Sequence, residues 1–222
     1  MNRHLRLIKI YKKLLENYGK QNWWPADSKL ECVIGAILTQ NTSWNNAEHA
    51  LTNIKSVMDI TVENISSIST NELSLLIRPS GFYKQKTKSI KGFIEFINNR
   101  YEGNIENMEH DNLKSLRSGL LSVNGIGPET ADCILLYAMN KPVFVIDRYT
   151  YRMLYRHGLV EGETSYPEMQ NLFMENLDNR ADLFGEFHAL IVEVGKNHCK
   201  KRAICEDCPI NFDTHKFSCE II

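Results

Sequence analysis

The feature that most constrains this chain is a glycine-bounded turn that leads into a helical pattern. Residues 123–127, VNGIG, contain Gly125 and Gly127, and glycine tolerates the positive φ values that a sharp reversal needs. Pro128 suits the first position of a helix, and apolar side chains then recur at i, i+3, i+4 and i+7: Ala131, Ile134, Leu135 and Ala138. The pattern predicts a hairpin between two helices, with unpaired backbone N–H groups that can meet a phosphate.

Helical periodicity continues along most of the chain and predicts an all-α fold. One helix is predicted around residues 7–18, and a second, apolar enough to lie in the core, around residues 30–38. Further helices are predicted at residues 61–68, 70–77, 85–98, 112–121, 128–139, 148–157, 166–177 and 182–196. Residues 143–146, VFVI, are predicted to be an extended connector, and Gln40 is predicted to lead a loop.

Composition limits the classes of function. The chain has no run of about 18 apolar residues, and its charged N-terminus does not suit a cleavable signal, so we expect a cytoplasmic protein without a membrane partner. A net charge of −1 argues against a protein that coats DNA nonspecifically, so any DNA-binding surface must be local. Two basic clusters are candidates: Lys84, Lys86, Lys88 and Lys91, and Lys196, Lys200, Lys201 and Arg202. A solvated helix face is the competing interpretation of the first cluster.

Asp147 stands directly before the helical pattern of residues 148–157, at the position of an N-cap. A carboxylate there is kept ionised by the helix dipole and by free N–H groups. The local pattern alone favours a helix cap worth about 1 kcal/mol.

Four segments in order carry a resemblance to a known family: LECVIGAILTQNTSW, SGFYKQKTKSI, the hairpin with Asp147 about twenty residues later, and four C-terminal cysteines. Together they resemble the helix-hairpin-helix (HhH-GPD) superfamily of endonuclease III-like DNA glycosylases. The resemblance implies one helical lobe from residues 1–25 and 140–198, a second from 26–139 with the hairpin, and a cysteine loop at 199–222. It also implies a monomer, associated with the nucleoid, that takes a flipped-out damaged base from double-stranded DNA into a cleft between the lobes.

By resemblance, Asp147 is the catalytic residue, an anion that stabilises the positive charge of the sugar during cleavage of an N-glycosidic bond. Gly125 and Gly127 contact DNA by the same resemblance. Family members that also cut the strand have a lysine where this chain has Glu129. Because a carboxylate cannot form a Schiff base, the resemblance indicates a glycosylase without lyase activity. Glu129 is also the acidic residue favoured in the first turn of a helix, and it could shape the base pocket.

All three tryptophans lie in two short segments, Trp23-Trp24-Pro25 and Trp44. Core packing is the simplest interpretation of such residues, but two adjacent tryptophans cannot both face one core. Pro25 favours an extended conformation at Trp24. The arrangement resembles the 3-methyladenine branch of the superfamily, in which aromatic residues line the base pocket. A cationic alkylated purine would stack on these rings. Oxidised or mismatched bases, and a non-catalytic DNA-binding module, are the alternatives.

Further DNA contacts are implied by the resemblance alone. Gln40 would fill the gap left by the extruded nucleotide, and Phe82 or Tyr83 would wedge in from the other side.

Cys199, Cys205, Cys208 and Cys219 have the spacing C-x5-C-x2-C-x10-C. Four close cysteines in a chain without a signal sequence favour a metal over disulfides. The family commonly holds a [4Fe–4S] cluster with C-x6-C-x2-C-x5-C, from which this chain departs by one residue in the first loop and five in the last. Tetrahedral zinc uses the same thiolates and is the alternative, ahead of a chance grouping of thiols. Lys200, Lys201 and Arg202 in the first loop could reach phosphates.

Overall fold

The structure, a computed structural model, describes residues 2–213, and every regular element in that range is helical. The α-helices are α1 (Arg3–Tyr18), α2 (Lys29–Leu38), α3 (Trp44–Lys55), α4 (Val62–Ser67), α5 (Thr70–Leu76), α6 (Tyr83–Tyr101), α7 (Leu113–Ser122), α8 (Pro128–Cys133), α9 (Arg148–Arg156), α10 (Tyr166–Met174) and α11 (Ala181–Asn197). Arg78–Ser80 and Ile105–His110 are 3₁₀ turns, and Ile134–Ala138 is a π-helical segment. No helix in the described range is long and apolar enough to cross a membrane.

The chain forms two compact units. One is Trp24–Lys141, and the other combines the described residues up to Trp23 with those from Pro142 onward. The division into two lobes and a separate cysteine loop at residues 199–222 stays a prediction.

The core of the Trp24–Lys141 unit is built around α2. Its sequence KLECVIGAIL is apolar on nearly every side, and Val33, Ile34, Ile37 and Leu38 are fully buried. The helix packs against α3, α6 and the π-helical segment. Because these neighbours surround α2, the chain segments that leave its C-terminal end are held in defined positions.

The other unit has an aromatic core. Phe144, in the non-helical connector, stacks on Phe173 of α10 with ring centroids 3.7 Å apart, and both rings meet Phe187 of α11 edge-on. Arg6 of α1, which is partly exposed, forms an ion pair at 2.7 Å with the buried Asp213. The pair connects the N-terminal helix to the segment that follows Cys208.

The elements that differ from the sequence prediction include α3 and the helix after the hairpin. The polar stretch after Gln40 is short, because Ser43 caps a new helix by accepting a hydrogen bond from the Asn46 N–H, and Trp44 begins α3. The helix after the hairpin was predicted as regular through residue 139. It is α-helical only to Cys133 and then π-helical, with the Met139 N–H donating to the Ile134 carbonyl.

Candidate active site and DNA-binding surface

Asp147 is the N-cap of α9. Its Oδ1 accepts a hydrogen bond from the backbone N–H of Thr150 at 2.7 Å, and its side chain is only 13% exposed. Its Oδ2 lies 3.7 Å from Nε2 of His188, which is longer than a hydrogen bond but well within electrostatic range. The carboxylate is therefore both a helix cap and a nearly buried anion beside an imidazole.

The electrostatic balance around Asp147 favours its ionised form. Burial by itself raises the pKa of this carboxyl, but the His188 imidazole and the Thr150 N–H outweigh burial, and the pKa lies below its usual value. Asp147 thus carries a full negative charge at neutral pH, in a place where water screens that charge poorly.

His188 also contacts Trp23. The two ring centroids are 5.9 Å apart in an edge-to-face arrangement, and the Lys196 ammonium lies 5.6 Å from the centre of the Trp23 ring. Trp23 remains partly exposed. In this unit, a predicted base-contacting residue is therefore one side chain away from Asp147.

The Trp24–Lys141 unit contains a separate aromatic group. Trp24 meets Trp44 edge-on with centroids 5.4 Å apart and meets Tyr137 at 5.3 Å, and all three rings are partly exposed. The Trp24 indole approaches α2 closely, because a Cβ at Gly35 would lie 3.1 Å from its Nε1. Pro25 is exposed. We call Trp24, Trp44 and Tyr137 the aromatic trio.

The hairpin closes against α6. Gly125 has φ +84°, and a Cβ there would overlap the hydroxyl of Ser89 and lie 3.2 Å from its Cβ. Gly127 differs from the expectation that both glycines need positive φ. It has φ −90°, caps α8, and a Cβ there would meet no atom within 4 Å. Gly125 is thus required by conformation and by space, whereas Gly127 leaves room beside the start of α8.

The predicted gap-filling and wedge residues lie beside the same hairpin. Gln40 donates from Nε2 to the Gly125 carbonyl at 3.0 Å and to the Thr130 hydroxyl at 2.8 Å. Phe82 is 65% exposed with φ +47°, directly before α6, and Tyr83 is the first residue of that helix. Glu129 is exposed in the first turn of α8.

The first basic cluster is not a single surface. Lys86 is buried and donates to the carbonyls of Leu38 and Ser80, both at 2.7 Å. Lys91 donates to the Ile65 carbonyl at 2.7 Å. Only Lys84 and Lys88 of the four have exposed side chains. Lys86 and Lys91 instead bind backbone carbonyls at helix ends and loops. Neither of the two interpretations of this cluster, a solvated helix face or a phosphate-binding surface, predicted that role.

The cysteine loop packs against α9. Cys199 and Cys208 are buried, and Arg156 donates to the Cys199 sulfur at 3.2 Å and to the Lys200 carbonyl at 2.6 Å. Arg156 is itself 2% exposed, so a thiolate-bound group at Cys199 would find its counter-charge there. Cys205 is partly exposed, in contrast to the two buried thiols of this loop.

The described cysteines do not complete a metal site by themselves. Within residues 2–213 no three His, Cys, Asp or Glu side chains are grouped to hold a metal ion, and the predicted fourth ligand, Cys219, lies outside the described residues. The soft thiol donors and the guanidinium on Cys199 suit a thiolate-bound metal. The side chains of Lys200, Lys201 and Arg202 are exposed.

Sequence reasoning missed His188 and Tyr137. His188 lies in the apolar run of α11, where a lone histidine resembles any other core residue. Tyr137 follows the hairpin in the π-helical segment, whose changed period rotates it away from the face expected of a regular helix. A search for polar residues within apolar helices would have found His188, whereas no sequence signal predicts the π-helical turn.

Comparison with known proteins identifies the family. Residues 34–179 match the HhH-GPD superfamily of base excision DNA repair proteins, so the chain belongs to this superfamily, and its class of activity is that of a DNA glycosylase. The chain is 46% identical over 213 residues to a protein of Methanocaldococcus jannaschii that is named as a DNA repair glycosylase. The aligned region covers 94% of this chain and 96% of the other.

Two further relatives point to different branches. The solved H. pylori 3-methyladenine DNA glycosylase, bound to 1,N6-ethenoadenine, is 32% identical with a TM-score of 0.75, over 89% of this chain and 98% of that one. Endonuclease III of Sulfolobus acidocaldarius is 31% identical over 80% of this chain and 78% of its own. The resemblance inferred from the sequence and the all-α helix-hairpin-helix fold are both confirmed.

Proposed function

We propose that this chain is a monofunctional DNA glycosylase that hydrolyses the N-glycosidic bond of a flipped-out alkylated purine, such as 3-methyladenine, in double-stranded DNA. The observation that carries the proposal is Asp147, a nearly buried carboxylate whose pKa is held below its usual value by His188 and the Thr150 N–H.

Asp147 supplies the charge that the reaction needs. As the bond between base and sugar breaks, positive charge develops on the sugar, and a fixed anion lowers the energy of that transition state. An opposite charge about 4 Å away, at an effective dielectric constant of about 20, contributes about 4 kcal/mol. Asp147 also accepts the proton of the attacking water or orients that water.

Two features support alkylated purines as the substrate. The aromatic trio consists of partly exposed aromatic residues, and an electron-poor or cationic base would gain stacking and cation–π attraction from their rings. Alkylation also makes the base a better leaving group, so little general-acid assistance is needed. The similarity to the H. pylori 3-methyladenine glycosylase supports the same choice.

Glu129 supports hydrolysis without strand cleavage. It is exposed at the start of α8, where a carboxylate cannot attack the sugar to form the Schiff base that β-elimination requires. The product is then an abasic site in an intact strand.

Duplex binding is assigned to the loops beside the hairpin. Backbone N–H groups at the start of α8, where Gly127 leaves room, meet a backbone phosphate, exposed Phe82 or its neighbour Tyr83 wedges into the stack, and Gln40 fills the vacated position. Lys200, Lys201 and Arg202 add phosphate contacts from the cysteine loop. A [4Fe–4S] cluster held by Cys199, Cys205, Cys208 and Cys219 would stiffen that loop, with zinc as the alternative metal.

A second candidate is excision of oxidised or mismatched bases, which the similarity to the S. acidocaldarius endonuclease III favours. One experiment separates the two substrates. Bulk DNA treated with a methylating agent is incubated with the protein, and the released bases are separated chromatographically. We expect free 3-methyladenine, whereas release of no alkylated base, together with release from oxidised DNA, would overturn the substrate assignment.

Borohydride trapping tests the monofunctional mode. We expect no covalent adduct between the wild-type protein and damaged duplex. Glu129→Lys is the matched variant, because it returns an amine to the position at which strand-cutting relatives have lysine. A trapped wild-type adduct would contradict the assignment.

A further inference from the structure

His188 lies between two parts of the proposed active site. Its side chain is 4% exposed, its Nε2 is 3.7 Å from Asp147, and its ring meets Trp23 edge-on at 5.9 Å and Phe144 edge-on at 6.5 Å. A buried histidine among apolar rings usually needs polar partners, and the Asp147 carboxylate lies within electrostatic range of its Nε2.

The two oxygens of Asp147 are held differently. Oδ1 accepts the Thr150 N–H at 2.7 Å, which fixes one end of the carboxylate to the start of α9. Oδ2 faces His188 on α11, and the imidazole is the largest of the influences that oppose burial and lower the pKa of this carboxyl. Burial of an unpaired anion is costly and raises its pKa.

Other polar groups lie on the elements that carry Asp147 and His188 or pack beside them. From α9, exposed Arg148 follows Asp147 in the chain. From α10, the Tyr166 hydroxyl accepts a hydrogen bond from the Ile146 N–H at 3.4 Å. From α11, Lys196 contributes its charge at the Trp23 ring. The ionisable nitrogen that lies within 4 Å of the Asp147 carboxylate is Nε2 of His188, on α11.

We propose that His188 is a positioning residue, which holds the Asp147 carboxylate in its reactive orientation from α11 and supports the Trp23 ring through their edge-to-face contact. The proposal rests on the proposed function of Asp147. It assigns His188 no direct contact with the reacting atoms. Its consequence is that excision persists at acidic pH, because Asp147 stays ionised there.

The free protein provides the first test. The ¹³C chemical shift of the Asp147 carboxyl, assigned by comparison with Asp147→Asn, is followed against pH in the wild type, His188→Phe and His188→Gln. We expect Asp147 to titrate at the lowest pH in the wild type, at a higher pH in His188→Gln, which keeps a hydrogen-bond donor, and at the highest pH in His188→Phe.

Phe187→Leu is the packing control. Phe187 neighbours His188 in the same helix and packs on Phe144, Phe173 and Tyr11, so its loss lowers stability while His188 and Asp147 keep their own side chains. Unchanged Asp147 titration in His188→Phe, or an equal change in Phe187→Leu, would overturn the proposal.

The second test measures single-turnover excision from alkylated duplex between about pH 5 and pH 8. For each protein, the excision rate at the acidic end is divided by its rate at neutral pH. We expect this ratio to be several-fold lower for His188→Phe than for the wild type. An identical pH profile in the two proteins would overturn the proposal. If the wild type releases no alkylated base while the titration still depends on His188, the proposed function fails and the positioning of Asp147 stands.

Discussion

Gly125→Ala tests whether the hairpin is built as the structure describes. Gly125 has φ +84°, and an added Cβ would overlap the Ser89 hydroxyl. A left-handed conformation costs an alanine about 1–2 kcal/mol, and forcing a methyl group into a filled space costs about 1–3 kcal/mol. We therefore expect Gly125→Ala to lower the free energy of unfolding by about 2–5 kcal/mol, measured by urea denaturation.

A double-mutant cycle separates the two costs. Ser89→Ala removes the hydroxyl that the new methyl group would meet, but it leaves the backbone strain at residue 125. In the Ser89→Ala background, Gly125→Ala should cost less by about 1 kcal/mol or more, whereas independent sites would show no coupling.

Gly127→Ala is the matched control in the same hairpin. With φ −90° and no atom within 4 Å of an added Cβ, it carries neither of these costs and should lose only the preference for glycine at an N-cap, about 1 kcal/mol or less. Its effect is expected instead on duplex affinity, because the methyl group would occupy the room proposed for a phosphate. Equal losses of stability for the two alanine variants would refute this account of the hairpin.

Three further outcomes are expected. Asp213→Asn removes a buried carboxylate that pairs with Arg6 and His157, and should cost about 3 kcal/mol at neutral pH. Burial raises the pKa of Asp213, but His157 and Arg6 outweigh burial and lower that pKa to about 2. The difference in free energy of unfolding between Asp213→Asn and the wild type should therefore shrink as pH falls from about 4 towards 2. A difference that does not change with pH would contradict this. Lys86→Met leaves two buried carbonyls without a donor and should cost about 2 kcal/mol or more by urea denaturation, whereas exposed Lys88→Met should be neutral. The purified protein should absorb visible light at about 400 nm and lose that band in Cys199→Ser; a colourless protein that contains zinc would favour the other metal.

Local patterns predicted most of the helices, because an apolar face at helical spacing depends only on neighbouring residues. The core helix α2 and the cap at Asp147 both follow from such patterns. Helix α3 was missed although its buried face, Ala47, Ala50, Leu51 and Ile54, has the same spacing. The polar residues around Trp44 hid that pattern.

The rest depended on contacts between residues distant in the chain. Lys86 is buried because α6 brings it to the carbonyls at the end of α2, and no sequence pattern distinguishes it from exposed Lys84. His188 faces Asp147 only because α11 packs on α9. Their roles are therefore properties of the folded chain and not of a motif.

The most direct test of the central claim compares Asp147→Asn with the wild type on an alkylated duplex. Asparagine caps helices as well as aspartate does, so the variant should fold and bind duplex with an unchanged Kd. Removing a charge worth about 4 kcal/mol should slow single-turnover base excision by about three orders of magnitude. Excision by Asp147→Asn at the wild-type rate would contradict the account.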